Sequence, residues 1–299
     1  MKIFSGSANP LLAEHIASAL GTTVPPVEIH VFPDGERRVR ILDAVLGDHV
    51  VIIQPASLPV DQNYMELFLL VDGLKRNGAK SVTVVCPYLG YERQDHIFRT
   101  GEAVSLAVIR TILEAIGVDR LLIFDPHSIK VPEIFRIPVI NVSALPLFAK
   151  EIRKQSWSIT DTVLVTPDMG GIRRIKILSS LLDNMPYAAI EKNRDLETGE
   201  VTAENIEGQI RKRAIIVDDM ISSGKTIVTA ANLLVKRGAE AVFVFATHPV
   251  FSQDAPKVLQ ESLVQKIFVT NTVAVPKEKK FPKLEILSVA EMIAGELQK

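Results

Sequence analysis

The sequence predicts an α/β chain of two similar domains, each a mostly parallel sheet flanked by helices. Three observations predict it. Short β-branched runs alternate with amphipathic helical stretches along the whole chain. The runs are almost continuously apolar, as parallel strands covered on both faces are. One α/β unit also occurs twice: "VVIIQPASLPVDQN…DGLKRNGAKSVTVVCPYLGYERQD" at 50–95 can be laid on "AIIVDDMISSGKT…NLLVKRGAEAVFVFATHPVFSQD" at 214–254.

In chain order, "HVVIIQ" (49–54), "SVTVVCPY" (81–88), "RLLIFD" (120–125), "DTVLVTPD" (161–168), "RAIIVDD" (213–219) and "AVFVFATH" (241–248) read as strands. Helical stretches between them, such as Leu67–Arg76 and Ile227–Arg237, run to a glycine, Gly78 or Gly238. Glycine is the usual residue where a helix ends in a left-handed turn. The crossovers are expected to be right-handed. The two copies differ in length: Gln54 to Gly78 is 24 residues (78 − 54), Asp218 to Gly238 is 20 (238 − 218). Domains are expected at 1–142 and 143–281, with a boundary near "NVSALP". The tail 282–299 can pack on either and is placed with the first.

Composition excludes several classes. At 299 residues, 47% apolar and 23% charged, with no low-complexity tract, the chain is expected to pack as two ordinary domains. Lys plus Arg (34) nearly balance Asp plus Glu (35), which argues against a nucleic-acid-coating protein. The single cysteine, Cys86, cannot form an internal disulfide and reads as a buried strand thiol. No apolar run approaches ~18 residues, and no basic-then-apolar leader precedes Ile3-Phe4. A soluble cytoplasmic protein without a membrane or nucleic-acid partner is expected.

"VDDMISSGKT" (217–226) carries the most chemistry. Its last three residues match the end of an ATP-binding P-loop, but Asp219 stands where that loop needs its first glycine. In an open α/β sheet, ligands bind at the carboxyl ends of strands, and here "SSGKT" leads from such an end into a helix. Amides at Ser222–Thr226 and the helix dipole form an anion site. Gly224 admits close approach, while Ser222, Ser223 and Thr226 add hydroxyls. Asp218 and Asp219 would repel a triphosphate, yet they can accept hydrogen bonds from the vicinal hydroxyls of a sugar phosphate. The bland alternative, an acidic turn capping a helix, accounts for one acid but not for two.

Five further segments carry charge at turns. "VFPDGERRVR" (31–40) places Asp34-Gly35-Glu36 in a hairpin turn, which by itself is only exposed charge. "YLGYERQDHIFRTGEAVS" (88–105) offers Arg93 and Gln94 after a strand, suited to phosphate and purine edges. "FDPHSIKVPEIF" (124–135) sets His127 past one strand end, and "VTPDMGGIRR" (165–174) sets Asp168 past another. A lone histidine is more often structural; the pair at two strand ends fits a hydrated Mg²⁺. "IEKNRDLETGE" (190–200) is a solvated hairpin tip or a cationic arm that closes over phosphates.

The ordered set F-x-D-G-E, Y-x-R-Q-D, D-x-H, P-D-x-G-G and K-x-R, ahead of the 217–226 loop, makes the whole chain resemble the ribose-phosphate pyrophosphokinases. The loop by itself is similar to that of type I phosphoribosyltransferases as well. The resemblance implies two type I phosphoribosyltransferase-like domains. It implies that Phe32, Asp34, Gly35, Glu36, Arg93, Gln94 and Asp95 bind ATP, and that His127 and Asp168 hold Mg²⁺. Lys192 and Arg194 would be catalytic. Arg194, Asp218, Asp219, Ser222, Ser223, Gly224, Lys225 and Thr226 would bind ribose 5-phosphate. ATP and ribose 5-phosphate would be the substrates of a homo-oligomer.

Three departures from the family pattern stand out. D-L-H is Asp125-Pro126-His127, R-Q-D-R/K ends in His96, and the loop carries Lys225 where glycine is common. They bear on affinity and regulation more than on chemistry. A phosphoribosyltransferase, or a non-catalytic homologue associated with an active synthetase, is the alternative function.

Overall fold

The computed structural model describes residues 1–128, 130–194 and 201–299, excepting the side chains of 192–194 and 201–204. It divides into two compact units. The first comprises Met1–Val142, Thr272–Ala274 and Ser288–Lys299; the second comprises Ser143–Asn271 and Val275–Leu287.

The first unit runs β1 (Lys2–Ser5), α1 (Pro10–Ala19), β2 (Val27–Val31), β3 (Arg37–Ile41), β4 (His49–Ile53), α2 (Val60–Arg76), β5 (Ser81–Val85), α3 (Ser105–Ala115), β6 (Arg120–Phe124), α4 (Val131–Ile134) and β7 (Val139–Val142). Its five-stranded sheet has the order β1-β4-β5-β6-β7, parallel throughout. β2 and β3 form a separate antiparallel hairpin with Val31 opposite Arg37. Phe32–Glu36 close it, with Gly35 at φ 94°, a left-handed value that glycine adopts without a Cβ penalty.

Two expected elements differ in extent by more than two residues. α2 begins at Val60 rather than Leu67, directly behind Pro59, with Asp61 in its first turn and Lys75 and Arg76 in its last. Those charges complement the helix dipole. β5 ends at Val85 rather than Tyr88. Pro87 has no N–H to continue a ladder. Cys86 is buried there, and desolvation pushes its thiol up to about 12.

The second unit runs α5 (Leu145–Lys154), β8 (Thr162–Thr166), α6 (Ile172–Leu181), β9 (Tyr187–Arg194), β10 (Val201–Glu207), β11 (Arg213–Ile221), α7 (Lys225–Lys236), β12 (Ala241–Pro249), α8 (Ala255–Glu261), β13 (Lys266–Thr270) and β14 (Leu284–Leu287). A short 3₁₀ turn, Met169–Gly171, precedes α6. The sheet order is β10-β9-β8-β11-β12-β13-β14, and only the β9–β10 pair is antiparallel. Alternate residues of its strands serve two cores. Ile216, Val244 and Val269 pack with Ile227, Leu234 and Leu259, while Ile215, Phe245 and Phe268 pack with Phe148, Ile175 and Leu178. Two covered faces are why these strands read as unbroken apolar runs. The last helix, α9 (Ala290–Leu297), returns to the first unit and lies against α1.

Candidate active site

β8 and β11 are adjacent parallel strands, so their carboxyl ends lie side by side. Asp168 stands just past the end of β8 and caps the 3₁₀ turn, its Oδ1 accepting from the Gly171 amide at 3.2 Å. Thr166 Oγ1 donates to the Asp168 carbonyl at 2.9 Å. A Cβ on Gly171 would come within 2.0 Å of that hydroxyl oxygen, so the P-D-x-G-G turn requires its second glycine.

β11 carries Asp218 and Asp219 through its last residues. The Asp219 amide donates to Asp218 Oδ1 at 2.9 Å. Between the two carboxylates sits Arg174 of α6, with Nη1 3.5 Å from Asp218 Oδ1 and Nη2 3.3 Å from Asp219 Oδ1. All three side chains are largely buried. Burial pushes the Asp218 carboxyl well above the usual range. The neighbouring Asp219, by charge and hydrogen bond, adds to the rise, as does the charge of Asp168; Arg174 opposes it. The site therefore holds more negative charge than one guanidinium offsets. Such an arrangement favours hydroxyl donors over further anions beside the acids.

One turn on, the chain reaches the helix start. Gly224 takes φ 79° and caps α7 without a side-chain hydrogen bond, and no acidic residue occupies the first turn. Leu259 lies 3.1 Å from where a Cβ of Gly224 would be, so both backbone and packing select glycine. The first intrahelical bond runs from Val228 N to Gly224 O, and the amides of a helix's first turn have no intrahelical partner. Ser222 and Ser223 are half-buried, while Lys225 and Thr226 are exposed. Asp168, Asp218, Asp219 and Ser222–Thr226 thus collect at one end of one sheet. Arg174 joins them, a residue the sequence offered only as one of two arginines after Gly170-Gly171.

The other expected residues lie elsewhere. Arg93 and Gln94 line a cleft of about 830 Å³ in the first unit, with Pro59, Asp61, Gln62 and Tyr91. Asp95 is not in that lining; it pairs with His96 Nδ1 at 2.6 Å. Burial pushes the Asp95 carboxyl up, but hydrogen bonds from His96 and Ser128 outweigh it and hold it below the usual range. Phe32, Asp34, Gly35 and Glu36 form the exposed tip of the β2–β3 hairpin and are not among the cleft's lining residues. The base of that hairpin is anchored. Arg37 Nη1 reaches the fully buried Glu66 at 3.0 Å, and Glu66 also accepts from the Ser7 amide at 2.6 Å and Gln54 Nε2 at 3.0 Å.

His127 is exposed beyond β6 in the first unit, whereas Asp168 belongs to the second. Among the described residues, no three His, Cys, Asp or Glu side chains gather closely enough to cage an ion. Lys192 and Arg194 lie in β9, opposite Ala203 and Val201 of β10, but their side chains fall outside the described ones. Among the described residues, no helix is long and apolar enough to cross a membrane.

Residues 1–117 match the model of the N-terminal domain of ribose phosphate pyrophosphokinase, and residues 187–299 match that of the phosphoribosyl synthetase-associated domain. Curated relatives include a ribose-phosphate pyrophosphokinase of Gloeobacter violaceus, 38% identical over 98% of this chain and 88% of that protein. Ribose-phosphate pyrophosphokinase 1 of Streptococcus pyogenes is 39% identical over 98% of this chain and 92% of its own length. The crystal structure of phosphoribosylpyrophosphate synthetase from Mycobacterium smegmatis superposes with a TM-score of 0.91 at 33% identity, covering 99% of this chain and 97% of that one. With likeness of this extent along its whole length, the chain belongs to the ribose-phosphate pyrophosphokinase family.

Proposed function

We propose that this chain transfers the pyrophosphoryl group of Mg·ATP to the 1-hydroxyl of ribose 5-phosphate, giving 5-phosphoribosyl 1-pyrophosphate and AMP. The observation that carries the reading is the acid pair Asp218–Asp219 set one turn before Gly224 and the start of α7, in a chain of this family. The amides of Ser222–Thr226 and the hydroxyls of Ser222, Ser223 and Thr226 take the 5-phosphate, with Lys225 beside them. Asp218 and Asp219 accept from the ring diol. The 1-hydroxyl oxygen attacks the β-phosphorus, the bond from that phosphorus to the α–β bridging oxygen breaks, and the hydroxyl proton leaves to solvent. Lys192 and Arg194 stabilise the charge on the transferring group, a task of positioning and electrostatics.

ATP is bound by Arg93, Gln94 and Asp95 and by the hairpin residues Phe32, Asp34, Gly35 and Glu36. His127 of the first unit and Asp168 of the second would each offer Mg²⁺ a donor, an imidazole and a carboxylate, the latter being the hard donor this ion prefers. The ion would keep most of its waters and take phosphate oxygens. When bound, Mg²⁺ supplies neutralisation of those oxygens. The two compact units support a division into two phosphoribosyltransferase-like domains, 1–142 and 143–281, with the tail 282–299. A cytoplasmic homo-oligomer completes the proposal.

The test incubates purified protein with Mg·ATP and ribose 5-phosphate and follows AMP and 5-phosphoribosyl 1-pyrophosphate. Equimolar formation of both supports the reading. ADP instead of AMP, or consumption of 5-phosphoribosyl 1-pyrophosphate with a free base and no ATP requirement, overturns it.

A further inference from the structure

The loop that follows β12 is bonded along the back of the 222–226 turn. The Phe251 amide donates to the Ile221 carbonyl at 3.0 Å and the Ser252 amide to the Ser222 carbonyl at 3.1 Å. The hydroxyl of Ser252 lies 3.0 Å from that of Ser222. These contacts continue the β11–β12 pairing, which ends at Ile221 opposite Pro249, into the loop beyond β12. Ser252 is held between two non-glycine residues in left-handed conformations, Phe251 at φ 41° and Gln253 at φ 52°. Side chains seldom adopt that region unless the surroundings enforce it. The surroundings are visible: Phe251 is buried against Phe281, and Lys279 Nζ donates to its carbonyl at 2.8 Å.

We propose that Ser252 is a positioning residue of the ribose 5-phosphate site, aiming the Ser222 hydroxyl at the 5-phosphate. The inference rests on the proposed reading of 222–226 as the phosphate turn. Each hydroxyl carries one donor and two acceptor sites. Phosphate oxygens only accept, so the pair has one productive arrangement: Ser252 donates to Ser222, and Ser222 donates to the phosphate. The first bond polarises the second. Without the Ser252 hydroxyl, Ser222 regains its rotational freedom and loses that polarisation. The turn is then braced by the Phe251 and Ser252 amides alone.

Ser252→Ala is expected to raise KM for ribose 5-phosphate, and the competitive inhibition constant of inorganic phosphate against it, by about 5- to 10-fold. KM for ATP should stay within about twofold, because the residues proposed to bind the nucleotide lie outside this turn. Ser252→Thr keeps the hydroxyl and is expected to restore both constants. A merely structural role would lower the melting temperature and move both substrates' constants together. Unaltered ribose 5-phosphate and phosphate constants in Ser252→Ala, or no rescue by Ser252→Thr, overturn the inference. If the wild-type protein itself neither binds ribose 5-phosphate by calorimetry nor forms AMP, the functional reading beneath it fails instead.

Discussion

Arg174 Nη2 stands 3.3 Å from Asp219 Oδ1, while the other terminal nitrogen of the same guanidinium reaches Asp218. One cation from α6 therefore serves two adjacent carboxylates of β11. A planar fork can span two acids in this way; an ammonium acts as a point charge and cannot. Removing one partner from a buried ion pair typically costs about 3–5 kcal/mol, and the long distances here place this cluster at the lower end. Arg174→Ala is expected to lower stability by about 3 kcal/mol, with Arg174→Lys recovering only part of it. Urea denaturation of the two variants checks this; an Arg174→Ala protein as stable as wild type would show the guanidinium to be dispensable.

The raised carboxyl of Asp218 makes stability depend on pH. Its native value lies well above the ordinary 3.8 because of burial first and the charge of Asp219 second. Between the ordinary and the native value, the folded state holds this proton more tightly than the unfolded one. Stability contributed by this group therefore falls as pH rises through that window and stays lost above it. Asp218→Asn is expected to melt at a higher temperature than wild type at neutral pH, the gain vanishing at about pH 4 and below. The same variant should lose affinity for ribose 5-phosphate, since it forfeits an anionic acceptor. Melting curves across the pH range test the sign, and a variant that is less stable at neutral pH contradicts it.

The fully buried Glu66 depends on Arg37, whose guanidinium also bonds Gln62 Oε1 at 2.9 Å. Arg37→Met leaves a carboxylate in the interior without its counter-charge. A loss of about 3 kcal/mol or more is expected. Adding Glu66→Gln should restore most of it, because the charge that needed compensation is gone. A double-mutant cycle in urea measures the coupling, and strictly additive losses would dissolve the pair as an energetic unit.

Lys192 is proposed to act on charge that develops only in the transition state. Lys192→Ala is therefore expected to lower kcat at least ~10²-fold, with KM for ribose 5-phosphate little changed. Steady-state kinetics with both substrates varied decides it. An intact kcat would take this side chain out of the chemistry.

Local interactions made much of this legible in advance. The sequence by itself determined the α/β class, because apolar periodicity reflects which faces are covered. It determined the helix ends at Gly78 and Gly238, which take φ 87° and 98°, because only glycine enters that region freely. It also marked the hairpin turn at Asp34-Gly35 and the glycine that opens α7, since each depends on residues a few positions apart. β7, β13 and β14, four or five residues long, escaped notice.

Only the tertiary structure decided which distant side chains meet. The order of strands brings the end of β8 beside the end of β11, and with it Arg174 to Asp218 and Asp219. The β12 partner places Ser252 on Ser222, and a helix and a hairpin far apart in the chain enclose Glu66. Such pairs follow from where crossovers return the backbone, a global outcome of core packing that no neighbouring residue records. Arginine, serine and glutamate are common in solvated turns and helices, so their pairing becomes visible only once the sheet has chosen its order.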